Sequence, residues 1–157
     1  MSDLHPTATC ARLAELGIEL PPVAPPAAAF IPFGRAGELV FLSGHIAKRD
    51  GRPWVGQLGR DMVTADGAVA ARDVGIELLG TLAAAAGDLD RVVRIVKLLV
   101  LVNSASTYTE HHLVANGCSE LMAQVFAERG PHARSAFGVA QLPLGACVEI
   151  ELIAQVR

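Results

Sequence analysis

Aromatic residues are scarce in this 157-residue chain: one Trp, one Tyr and five Phe make up 4% of it. A core of this size must be built mainly from Ala, Val, Leu and Ile, and it suits a single domain. Charge is sparse as well, at 18% against 52% hydrophobic residues, which excludes a disordered polyelectrolyte. No Lys/Arg-rich run occurs and the net charge is -3, so the basic footprint of a general nucleic-acid binder is missing. One arginine can still hold a small anion. The three cysteines, Cys10, Cys118 and Cys147, are odd in number and widely spaced. They form neither a disulfide framework nor a zinc pattern, and read as thiols in a reducing cytosol. No apolar stretch approaches ~18 residues, so no transmembrane helix is expected. The opening MSDLHPTATCARLAEL has early acidic residues and no continuous apolar run, unlike a secretory leader. These absences lead to the expectation of a cytoplasmic globule with neither a membrane nor a nucleic-acid partner.

Periodicity then organises what is present. Residues 3–17 read as a short amphipathic helix stopped by Gly17. Pro21, Pro22, Pro25 and Pro26 forbid a helix and predict an extended arm. Residues 1–26 are thus an N-terminal helix and Pro-rich arm, and 27–157 one domain. Residues 27–32 are expected as the first strand, 34–37 as a turn and 38–45 as its hairpin partner. Asp50-Gly51 marks the next turn. Thr64 to Ala86 is the clearest helix, with Thr64 as N-cap, Asp66 in the first turn and Gly87 as terminator. Val69, Ile76, Leu79, Leu82, Ala83 and Ala86 are its expected buried stripe. Val92 to Asn103 reads as a central strand buried on both faces. A second helix lies between Tyr108 and Arg129, with Asn116-Gly117 interrupting its pattern. Ala133 to Leu142 and Cys147 to Val156 are the last strands. The order predicts an α+β fold, with two main helices on one face of a mixed sheet. The other face carries apolar groups such as Leu39, Phe41 and Ile153. That points to a closed homo-oligomer, of unspecified number, that covers it.

The chemistry-bearing residues cluster near the C-terminus. Arg134 opens an apolar strand, where a planar guanidinium suits a carboxylate held by two parallel hydrogen bonds. An intramolecular ion pair with a glutamate is the plainer alternative. Glu149 and Glu151, two apart on a strand, share a face. A half-buried carboxylate there can orient a water and take its proton. Both could equally pair with arginines. His111-His112 does not read as a metal site, because adjacent helical side chains do not converge on one ligand. His45, at a strand end, could line a cleft or serve the core.

The run from Arg134-Ser135-Ala136-Phe137 through Leu142-Pro143 to Val148-Glu149-Ile150-Glu151 resembles the signature of the RidA family (YjgF-type, reactive intermediate deaminase). That family once carried the label endoribonuclease L-PSP. Leu42-Ser43-Gly44-His45 is similar to its Ser-Gly strand end, Gly87-Asp88-Leu89 to a turn, and Val92 to Asn103 to the strand after it. The resemblance runs from about Phe30 to Arg157. It implies a chorismate-mutase-like fold, a homotrimer with clefts between subunits, and hydrolysis of 2-imino acids and enamines to 2-ketoacids and ammonia. It implies that Arg134 clamps a small carboxylate-bearing substrate and Glu149 positions water. Ser43, Gly44, Phe30, Asn116 and the peptide at Ala136 would line the cleft. No metal or organic cofactor is implied. A ketoacid-binding trimer without turnover, or a ribonuclease, are the competing expectations. Phe30 stands where many members have tyrosine, and Ala136 where the family has a cysteine. The N-terminal arm and the longer 107–116 region resemble a longer subgroup.

Overall fold

The computed structural model describes residues 8–26 and 28–157. Helix α1 (Ala8–Glu15) buries Thr9 and Leu13. It ends where Gly17 turns at φ 66, with Ile18 N donating to Leu13 O. The predicted first turns, residues 3–7, lie outside the described residues. Residues 18–26 form neither helix nor strand, in keeping with their prolines.

The first strand is displaced from its predicted place. Strand β1 spans Phe33–Ala36 and pairs antiparallel with β2 (Leu39–Ile46), while Ala28, Ala29 and Phe30 form a bend. The predicted turn at 34–37 is therefore mostly strand. The reversal is made by Gly37-Glu38, with Gly37 at φ 60 in the first central place, as a II′ hairpin turn needs. A small ribbon follows, β3 (Lys48–Arg49) against β4 (Arg52–Pro53). Its turn is Asp50-Gly51, both with positive φ.

Helix α2 (Thr64–Ala86) has the predicted bounds, and Gly87 closes it with its N–H on Ala83 O. Two details differ. The N-cap is Val63, and Thr64 instead hydrogen-bonds Tyr108 OH (2.8 Å) and Glu110. The buried face also matches the predicted stripe only in part: Leu79, Leu82 and Ala86 are buried, but Val69 is 52% exposed, Ile76 and Ala83 are half-buried, and Gly67, Ala70, Ala71, Val74, Gly75 and Leu78 are buried as well. The small residues win because helix α3 (His111–Phe126) lies against them. A Cβ at Gly75 would press on Leu121 and Cys118, and one at Gly67 on Val114 and Leu58. The same closeness explains why Asn116-Gly117 does not interrupt α3. A Cβ at Gly117 would overlap the Ala68 carbonyl, so glycine is there for the crossing.

Strand β5 (Val92–Asn103) runs through the sheet, β6 (Ala133–Val139) lies parallel to it, and β7 (Val148–Val156) runs antiparallel between β2 and β5. β6 stops at Val139, short of the predicted Leu142. The sheet order is β1-β2-β7-β5-β6. On β7, Val148, Ile150, Leu152, Ala154 and Val156 are fully buried beneath the helices, and Glu149, Glu151, Ile153 and Gln155 alternate to the other side. β5 is buried on the helix side only, at Leu98, Val100 and Val102. Its second face, with Lys97, Leu99 and Leu101, is half-buried in the single chain, so the expected two-sided burial is met on one side. That open face carries Phe41 and Phe137, 43% and 47% exposed. Among the described residues no helix is long and apolar enough to cross a membrane.

Candidate functional site

Strand register sorts the predicted site residues into two groups on opposite faces. Arg134 sits beside Leu98 and Ala136 beside Val100, so both point to the helix side at the edge of the sheet. Glu149 sits beside Leu101, three residues on along β5, and points to the open face. Within one chain these two side chains cannot close on one small molecule.

Arg134 is held by α3. Its Nη1 donates to Asn116 Oδ1 (2.9 Å) and to Ser119 Oγ (3.0 Å), and Nη2 donates to His112 O (3.3 Å). All three acceptors are neutral. The ion pairs among the described residues are Lys48–Glu77 and Arg129–Asp90, so the alternative of an internal Arg134–glutamate pair is not met. Asn116, which the resemblance implied to line the cleft, is here a hydrogen-bond partner of Arg134. Ser119 and the His112 carbonyl went unread. The i, i+3 spacing of Asn116 and Ser119 on one helix face was the available signal.

Glu149 lies at the other group. The β2–β7 register shifts between Leu42 and His45, a β-bulge that holds Ser43 and Gly44. Gly44 makes room there for the carboxylate, since a Cβ would overlap Glu149 Oε1 in its present place. The bulge is pinned on both sides. Ser43 Oγ donates to Ile31 O (2.6 Å) and Ser43 N to Pro32 O (3.0 Å). His45 Nδ1 donates to Ser43 O (2.8 Å), and Nε2 meets the buried Thr81 hydroxyl (2.9 Å). A carbonyl only accepts, so His45 carries its proton on Nδ1. The Glu149 side chain makes no hydrogen bond or ion pair among the described residues. Burial, and then the neighbouring Glu151 charge, push its carboxyl above the ordinary range.

Phe30, Ser43, Gly44 and Glu149 all line one cavity of about 550 Å³. Pro25, Pro26 and Leu144 line it too, and these the sequence reading did not single out. Leu144 is 73% exposed and adopts φ 58 in the Pro143–Gly145 turn, a strained place for a branched residue. Arg134, Asn116 and Ala136 are not part of this cavity.

The remaining candidates are quiet. His111 Nε2 meets Ser104 Oγ (3.0 Å), and burial followed by the neighbouring His112 lowers its pKa. Cys118 and Cys147 are buried, with thiol pKa values pushed up to about 12 and about 11, so neither is a nucleophile at neutral pH. Among the described residues no three His, Cys, Asp or Glu side chains gather as a metal site would need.

Residues 10–156 match the family model described as "YjgF/chorismate mutase-like, putative endoribonuclease". The chain is 44% identical over 149 residues to protein TCP17 of Trypanosoma cruzi, covering 94% of this chain and 93% of that one. It is similar to the crystal structure of Atu1372 from Agrobacterium tumefaciens, a protein of unknown function. The identity is 39%, the TM-score 0.87, and the match covers 96% and 93% of the two chains. It is also similar to the structure of RidA from the Antarctic bacterium Psychrobacter sp., at 26% identity and TM-score 0.54 over 86% and 93%.

Proposed function

The chain belongs to the YjgF/chorismate mutase-like family, and from that premise we propose that it deaminates 2-imino acids and their enamine tautomers to 2-ketoacids and ammonia. The observation that carries this reading is the pair of unspent charges. Arg134 has a guanidinium fixed by neutral acceptors and no carboxylate, while Glu149 has a half-buried carboxylate with no partner, facing a cavity. The likeness to a RidA structure is consistent with it.

The two groups lie on opposite faces, so the proposed site forms between copies of the chain. The exposed Phe41 and Phe137 on the open sheet face give a second copy an apolar surface to cover. A homotrimer, with three equivalent contacts, is the assembly we propose. Arg134 of one copy then holds the substrate carboxylate, and Glu149 of the next faces the imine carbon. Glu149 takes a proton from water as its oxygen bonds to that carbon. The imine nitrogen takes up a proton as the oxygen adds, which gives a carbinolamine; its amino nitrogen is then protonated, the C–N bond breaks, and the hydroxyl gives up its proton to Glu149 or water, so that ammonia and the ketoacid leave. The raised carboxyl pKa makes Glu149 a better base than an ordinary surface glutamate. The chemistry asks for water and proton movement alone.

The test is ketoacid release from an imino acid formed in situ by an amino-acid oxidase. Wild type should accelerate it, and Arg134→Ala and Glu149→Gln should not. If wild type gives no acceleration across small and large side chains, the reading is wrong.

A further inference from the structure

The cavity beside Glu149 is walled by groups that the deamination chemistry does not use. Its other polar side chains already have partners within the chain. Lys48 pairs with Glu77 at 2.9 Å, His45 is engaged at both ring nitrogens, and Ser43 donates to Ile31 O. The Glu149 carboxylate is the one side-chain charge left over. The rest of the wall is apolar, with Phe30, Ile46 and Leu144 prominent.

Proline gives this wall its character. Pro25, Pro26, Pro32, Pro53 and Pro143 all line the cavity, five of the nine prolines in the chain. A proline has no N–H, so these residues present ring carbons and no backbone donor. A hydroxyl or carboxylate on a ligand side chain would lose its water against these rings and find no donor among them. An apolar side chain loses nothing by entering. The volume of about 550 Å³ also falls within the roughly 300–1,000 Å³ typical of small-molecule sites.

The arm that supplies Pro25 and Pro26 is anchored. Leu13 is buried at its root, Ile18 and Leu20 pack on the core, and the Pro21 carbonyl rests on α2 at Gly80. A Cβ at Gly80 would overlap that carbonyl, so Gly80 is the seat of the arm.

We infer that the proline arm is the substrate-selecting wall of this site, and that the side chains it selects are bulky and apolar, branched aliphatic or aromatic. The reaction named for those substrates rests on the deaminase reading; the side-chain selection is a property of binding. Calorimetric titration of the ketoacid products measures it without turnover. The probes are 4-methyl-2-oxopentanoate and phenylpyruvate against pyruvate and 2-oxoglutarate, each with wild type, Gly80→Ala and the double variant Pro25→Ser/Pro26→Ser. Wild type should bind the branched and aromatic acids about 10-fold or more tighter than pyruvate, as burial of several extra carbons implies. Both variants should bring that ratio toward one while pyruvate affinity stays unchanged. Equal binding, a preference for 2-oxoglutarate, absence of binding, or a ratio untouched in both variants would overturn the inference. Turnover decides the other reading separately. Selective binding without ketoacid release keeps the wall and removes the deaminase, and release without selectivity does the reverse.

Discussion

The two sides of the sheet hold their key charges in opposite ways. At the β6 edge, Arg134 is tied to Asn116, Ser119 and the His112 carbonyl, so its place is fixed before any ligand arrives. On the open face of β7, Glu149 is tied to nothing, and a glycine leaves room for it. A clamp works by being rigid, because orientation is lost when it swings. A base works by reaching the proton it takes. In the proposed function each half carries what the other lacks, so that the two act together.

The largest effects should come from removing either half. Arg134→Ala and Glu149→Gln should each lower kcat/KM by about 10²–10³, the range for a single electrostatic group in a catalytic site. They should differ in kind. Arg134→Ala should also weaken ketoacid binding, whereas Glu149→Gln should spare it, which steady-state kinetics beside calorimetry would show. Next in size is Gly44→Ala. Its methyl would displace the Glu149 carboxylate, and a misplacement of that scale costs about 10- to 100-fold in kcat. The melting temperature should stay near wild type, since the displaced atom is the end of a flexible side chain.

Gly117→Ala tests the clamp's support instead. Its methyl would push on the Ala68 backbone and part α2 from α3, with an overpacking cost of about 1–3 kcal/mol, measurable by chemical denaturation. Turnover should fall with it, because α3 carries Asn116 and Ser119. The smallest effect is on pH. Glu149 serves as a base only when ionised, so the rate should fall as pH drops through its raised pKa. The Glu151 charge contributes to that rise, so Glu151→Gln should move the acid limb of the pH–rate profile to lower pH. A limb that stays in place would remove Glu149 as its source.

Much of this was legible in the sequence where period alone decides. Strict alternation placed Glu149 opposite Ile150 and Leu152, and the length and apolar run of β5 marked a long central strand. Legibility failed where packing overrides pattern. On α2, bulky Val69 and Ile76 carry part of the hydrophobic signal, yet Gly67 and Gly75 lie against α3 because only small residues let it come close. Gly117 reads as a break for the same reason. The face chosen by Arg134 was not readable either, since an edge strand does not announce which side its helix covers. The cavity wall was hidden because Pro25, Pro26 and Leu144 come from distant loops. Their turn chemistry was visible, but not their meeting.

The measurement that bears most directly on the split site is complementation. Arg134→Ala and Glu149→Gln proteins, each inactive, are unfolded together, refolded as a mixture and assayed for ketoacid release. Random mixing should restore about a quarter of the sites, those pairing an intact arginine with an intact glutamate from different copies. Activity rising from near zero toward that fraction is the predicted result. Mixed oligomers confirmed by mass that remain as inactive as their parents would contradict it.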